Sequence, residues 1–105
     1  MQKVLVDTNL ILRYLLDGDL MLPELSKKNL IWITNEVIFE TVYVLTKIYK
    51  VDRQDVFNLI VELLMKPNVE SDRILMFNTF VMFREFGNVS FVDCFLAKLS
   101  EMEKI

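Results

Sequence analysis

The chain has 105 residues, of which 53% are hydrophobic and 26% charged, with a net charge of -3. One domain spanning 1–105 is what this length holds, and the apolar fraction excludes intrinsic disorder. The absence of histidine and the lone cysteine exclude Ser-His and Cys-His nucleophile systems, His-ligated zinc, a Cys-rich metal site and an internal disulfide.

In chain order, Val4-Leu5-Val6 is a continuous apolar run, as in a central strand buried on both faces. Asp7-Thr8-Asn9 carries N-cap chemistry, and Leu10 to Leu16 reads as a helix broken by Asp17-Gly18-Asp19. Leu20 to Asn29 is ambiguous, with Pro23 able to open a single helical turn. Leu30-Ile31-Trp32-Ile33 reads as a second buried strand. Thr34 or Asn35 caps a long helix running to about Tyr49. Asp52 caps the next, Arg53 to about Met65, which Pro67 stops. Val69 sits in a very short third strand. Ser71 or Asp72 caps a helix to about Phe86, with Gly87-Asn88 as a left-handed exit. Ser90 caps a last helix, Phe91 to about Glu103. No segment approaches the roughly 20 apolar residues of a membrane span, and the first seven residues are too short in their apolar run for a signal peptide. With one cysteine, a reducing, cytoplasmic location is expected. Mean hydropathy of +0.35 points to a sticky face, most simply a homodimer or partner surface.

Strand–helix alternation predicts an α/β sandwich, helix-rich, on a short parallel sheet. Ligands bind such sheets at the carboxyl ends of the strands, so the acids there carry the argument. Asp7 directly follows the first strand; Asp-Thr-Asn is also an ordinary cap. Glu36, Glu40, Tyr43 and Lys47 fall on one narrow arc of a helix that is otherwise apolar or Thr, a stripe that lines a cleft or meets water. Asp93 lies three residues after Ser90, as in a capping box. Asp55 has the same local explanation. Glu70 and Asp72 flank the third strand, as ligands or as surface charges. Hard carboxylate oxygens suit Mg²⁺ or Mn²⁺, and a metal-bridged site binds phosphate without a polybasic tail. Ile74 to Phe86 is apolar on nearly every side: core, in part a dimer face or a partner groove.

Three blocks of this sequence resemble the PIN-domain family and, within it, the VapC-like toxin ribonucleases. They are Val4-Leu5-Val6-Asp7-Thr8-Asn9-Leu10-Ile11-Leu12-Arg13-Tyr14, Ile33 to Leu45 with Glu36 and Glu40, and Val89-Ser90-Phe91-Val92-Asp93-Cys94-Phe95-Leu96-Ala97. The resemblance spans nearly the whole chain. It implies a three-layer α/β/α sandwich and metal-dependent hydrolysis of RNA phosphodiester bonds, with an antitoxin protein as partner. Asp7, Glu40 and Asp93 look like the family's metal-binding catalytic acids, with Thr8 and Asn9 beside them. Ser90 stands where many relatives carry another acid. Arg13, Lys47 and Lys98 are candidate phosphate contacts. Relatives continue into a further strand and a fourth acid that this sequence lacks, and Glu101 and Glu103 lie too late in the last helix to replace it. A degenerate PIN domain that binds RNA or a protein without catalysis is the alternative.

Overall fold

The computed structural model describes residues 1–104. Three short strands, β1 (Gln2–Leu5), β2 (Asn29–Trp32) and β3 (Val69–Glu70), form a parallel sheet in the order β1-β2-β3. Six helices surround it: α1 (Thr8–Asp17), α2 (Met21–Ser26), α3 (Asn35–Tyr43), α4 (Arg53–Leu64), α5 (Arg73–Glu85) and α6 (Phe91–Glu103). The result is a helix-rich α/β fold with α/β/α layering. No helix among the described residues is long and apolar enough to cross a membrane.

Local chemistry sets most helix starts. The side chains of Asp7, Thr34, Asp52 and Ser90 each accept a backbone N–H three residues on, at 2.9, 3.3, 2.9 and 3.1 Å. Each therefore satisfies one of the donors that the first turn leaves without an intrahelical partner. Gly18 closes α1 in the left-handed conformation, φ 69°, with its N–H on the carbonyls of Arg13 and Tyr14; a Cβ there would be strained. In α2, Pro23 occupies the third position, where its missing N–H is one of those orphans in any case. Asn68, at φ 62°, makes the turn into β3 and donates from its side chain to the Ser26 carbonyl at 2.9 Å.

Four expectations are corrected. β1 is an edge strand, and Leu5 is 67% exposed; the central strand is β2, in which Ile31 is fully buried and Asn29, Leu30 and Trp32 are half-buried. An apolar run records that a strand is hydrophobic, while its place in the sheet depends on which distant segments pair with it. Second, the helix from Asn35 does not run unbroken to Tyr49. After Tyr43 it widens into a π-helical segment, Val44–Ile48, in which Tyr49 N–H bonds the Val44 carbonyl. The Thr46 hydroxyl donates to the Val42 carbonyl at 2.8 Å, satisfying an acceptor at the register change.

Third, Gly87-Asn88 is not a left-handed exit. α5 ends at Phe86 with φ -114°, and Gly87 has no positive φ. The Arg53 guanidinium takes over the role of the cap, donating from Nη1 to the carbonyls of Phe83, Phe86 and Val89 at 3.0, 3.0 and 2.6 Å. It also lies 4.1 Å from the centre of the Phe83 ring. Fourth, Asp72 holds the N-cap position of α5 without capping it; its carboxylate accepts from Asn35 instead.

The core lies between the sheet face bearing Ile31 and Val69 and the helices, and includes Leu45, Val56, Met76, Phe80 and Cys94. Four phenylalanines join α3, α5 and α6. Phe80 and Phe91 have ring centres 4.6 Å apart, Phe83 and Phe91 5.3 Å, and Phe39 and Phe91 6.0 Å, the last two edge to face. Such pairs contribute about 0.5–1.5 kcal/mol each beyond burial. The opposite sheet face is partly open: Lys3 reaches over the Trp32 ring, 4.8 Å from its centre, to Glu70 at 3.6 Å.

Candidate functional site

The carboxyl ends of the three strands point to one edge of the molecule. Asp7 lies there because β1 ends at Leu5 and α1 starts at Thr8. Its Oδ1 accepts the Leu10 N–H at 2.9 Å, which fixes the side chain and leaves Oδ2 for another partner. Thr8 is buried and Asn9 exposed. Arg13, one turn beyond Asn9 on the same face of α1, is exposed and forms no ion pair among the described residues.

Glu40 lies on α3, which packs against α1. The stripe expected on this helix is present: Glu36, Glu40, Tyr43 and Lys47 are all exposed. The neighbouring side chains Ile38, Thr41, Val42 and Leu45 are buried, so the helix can present only this line outward. Asp93 lies in the first turn of α6, exposed. α6 packs on α3 through Phe39, whose ring lies edge to face with Phe95 at 4.8 Å. The half of the capping box seen here is Ser90 Oγ accepting from the Asp93 N–H. Lys98 pairs with Glu101 on its own helix at 3.3 Å.

Asp7, Glu40 and Asp93 therefore sit on three helices that pack in series, all three exposed to solvent. Their chemistry, hard oxygens alone, suits a divalent cation of the Mg²⁺ type. Their placement does not preform a cage: among the described residues, no group of three or more His, Cys, Asp or Glu side chains gathers closely enough to hold a metal ion.

Two features of this region were not evident from the sequence. The Asn35 amide donates to Asp72 Oδ2 at 2.8 Å, tying the segment after β2 to the segment after β3. Beside it the Ser71 hydroxyl is buried with no hydrogen-bond partner among the described residues. The two residues of the Asn35–Asp72 pair are 37 positions apart, and no local pattern announces such a contact. The second is a cavity of about 430 Å³ between the α3 π-segment, the start of α4 and the start of α6. Of the residues singled out in the sequence it takes Tyr43, Lys47, Asp52 and Ser90 into its wall, and not Asp7, Glu40 or Asp93.

Among the described residues, one titratable group is clearly shifted. Burial pushes the Cys94 thiol above its ordinary value; the charge of Arg53 works against that shift and that of Asp93 with it. A buried thiol of this kind is a packing residue, not a nucleophile. No protein family, curated protein or solved structure matches this chain.

Proposed function

We propose that this chain is a PIN-like, metal-dependent endoribonuclease that hydrolyses RNA phosphodiester bonds, the toxin of a toxin–antitoxin pair, acting in the cytoplasm. The observation that supports the reading is that Asp7 follows β1 at the carboxyl edge of a parallel sheet, where α/β folds bind ligands, while Glu40 and Asp93 are exposed on α3 and α6, helices that pack in series with α1. A Mg²⁺ or Mn²⁺ ion, when bound, supplies polarisation of the phosphate and an activated water. The chain's own part is to hold Asp7 by its cap hydrogen bond and to bring Arg13 to the same helix as a phosphate contact. Lys47 extends the Glu40 stripe with a second positive charge. Exposed apolar side chains such as Leu20, Met21, Ile74 and Phe77 support contact with an antitoxin or a second copy.

The absence of a gathered carboxylate set favours a second reading, a PIN-like domain that binds RNA or a protein without cutting. One experiment separates the two. RNA is incubated with the protein and Mn²⁺, with EDTA, and with the Asp7→Asn variant. Cleavage lost in both controls establishes the nuclease. Asn caps a helix as well as Asp does, so the variant stays folded, and undiminished cleavage by it defeats the assignment. No cleavage by a folded wild-type protein, and no Mn²⁺-induced rise in melting temperature, defeats the nuclease and supports the binding reading, because an ion held by the native state must stabilise it.

A further inference from the structure

The cavity beside the π-helical segment has a lining that none of the carboxylate chemistry uses. Its walls are apolar, from Phe39, Val42, Val51, Phe91 and Val92, and its volume of about 430 Å³ falls in the range of sites that enclose a small organic ligand, about 300–1,000 Å³. π-Helical turns inside α-helices occur frequently at such sites.

The polar side chains around it decide what it takes. Arg53 Nη1 is engaged by three carbonyls. Asp52 Oδ1 caps α4. Ser90 Oγ caps α6. The Thr46 hydroxyl is bonded to Val42 and Tyr43 carbonyls. Lys47 differs: it is exposed and has no ion-pair partner among the described residues. With Arg53 and Asp52 offsetting one another, the lining carries one uncompensated positive charge, and the Tyr43 phenol, 60% exposed, stands one turn from it.

We propose that this cavity is a binding site for a small amphiphilic carboxylic acid, its hydrocarbon body among the Phe and Val side chains and its carboxylate on Lys47. An apolar body replaces water against an apolar wall. A carboxylate is the group that completes Lys47 without displacing any hydrogen bond already made, whereas a cationic ligand would meet both Lys47 and Arg53.

Titration calorimetry of the full chain with decanoate, and with decanol as the uncharged probe of the same length, tests this. Decanoate is expected to saturate one site per chain and to bind about 5-fold more tightly than decanol, the scale of an exposed ion pair. Lys47→Ala removes that advantage and leaves decanol unchanged, and 0.5 M salt shrinks it through screening. Val92→Trp, a substitution at a side chain 46% exposed, fills the cavity and abolishes saturable binding of both. Unchanged unfolding midpoints for the two variants show that the fold is retained. The proposal is overturned by absence of saturable decanoate binding, by equal binding of decanoate and decanol, by undiminished binding to Val92→Trp, or by a self-association of the chain that decanoate competes with, which would give the cavity to a second copy.

Discussion

The N-termini of α1 and α6 use the same local device and stand in opposite surroundings. Asp7 and Ser90 each cap their helix by accepting a backbone N–H three residues on. Behind Ser90 lie Phe80, Phe83 and Phe91 in mutual contact and an arginine whose guanidinium gathers three carbonyls. Asp7 opens from an edge strand whose last residue, Leu5, is two-thirds exposed. At α6 the cap is one of many constraints that agree. At α1 the geometry rests on the cap and on the helix's buried residues, and the carboxylate faces water. Stability should therefore reside at the α5–α6 corner and be little affected by changes to the acids, a division that lets functional groups vary without unfolding the protein.

The aromatic corner is tested directly by removing its most buried ring. Phe80→Ala removes a fully buried ring and should cost about 3–5 kcal/mol of unfolding free energy, read from urea denaturation. A loss below about 1.5 kcal/mol would show that the phenylalanine cluster is not the centre of the fold. Next, Arg53→Ala removes the guanidinium donor from the carbonyls of Phe83, Phe86 and Val89, of which Phe86 keeps the Val89 N–H at 3.0 Å, and leaves Phe83 without its stacked cation. Hydrogen bonds to charged groups contribute about 1.5–3 kcal/mol, and the partial exposure of this one places the expected loss near the lower end. Arg53→Lys should recover only part of it, since an ammonium cannot lie flat on the ring as a guanidinium does. Full recovery would mean that charge alone matters.

At the other helix, Asp7→Ala should cost about 1 kcal/mol through loss of the cap, and Asp7→Asn only a few tenths. A destabilisation by Asp7→Asn comparable to that of Arg53→Ala would erase the contrast between the two ends.

The smallest effect is a pH dependence at Cys94. Its folded pKa is raised by burial, so above the ordinary thiol pKa the unfolded chain loses a proton that the folded chain keeps. Stability then falls as pH rises through that ordinary value, near 8.5, toward the folded one, and is unaffected below it. Wild type should lose melting temperature between pH 8 and 10 faster than Cys94→Ala. Parallel curves for the two proteins would show that the thiol is not protected. The same burial should make it react slowly with thiol reagents at pH 8.

The parts of the fold whose causes are local are legible in the order of residues. The caps at Thr34, Asp52 and Ser90, the stop at Pro67, the bounds of α4 and α6 within a residue, and the exposed Glu36–Glu40–Tyr43–Lys47 line all follow from interactions within a turn or two. The alternation that makes the sheet parallel is legible for the same reason. Of the candidate site, the position of Asp7 after a strand and the narrow polar stripe that carries Glu40 were readable, because strand ends and helical periodicity are short-range properties. The remaining features involve partners far apart along the chain. Arg53 replaces a glycine exit by reaching carbonyls 30 to 36 residues away. Asn35 joins Asp72 across 37. The edge position of β1 depends on β2 pairing with β3 on its other side. The cavity exists because a π-segment, a helix start and a second helix start meet there. Local hydrogen bonds are encoded in spacing, whereas these contacts arise only when packing brings separate segments together, and no spacing rule records which segments meet.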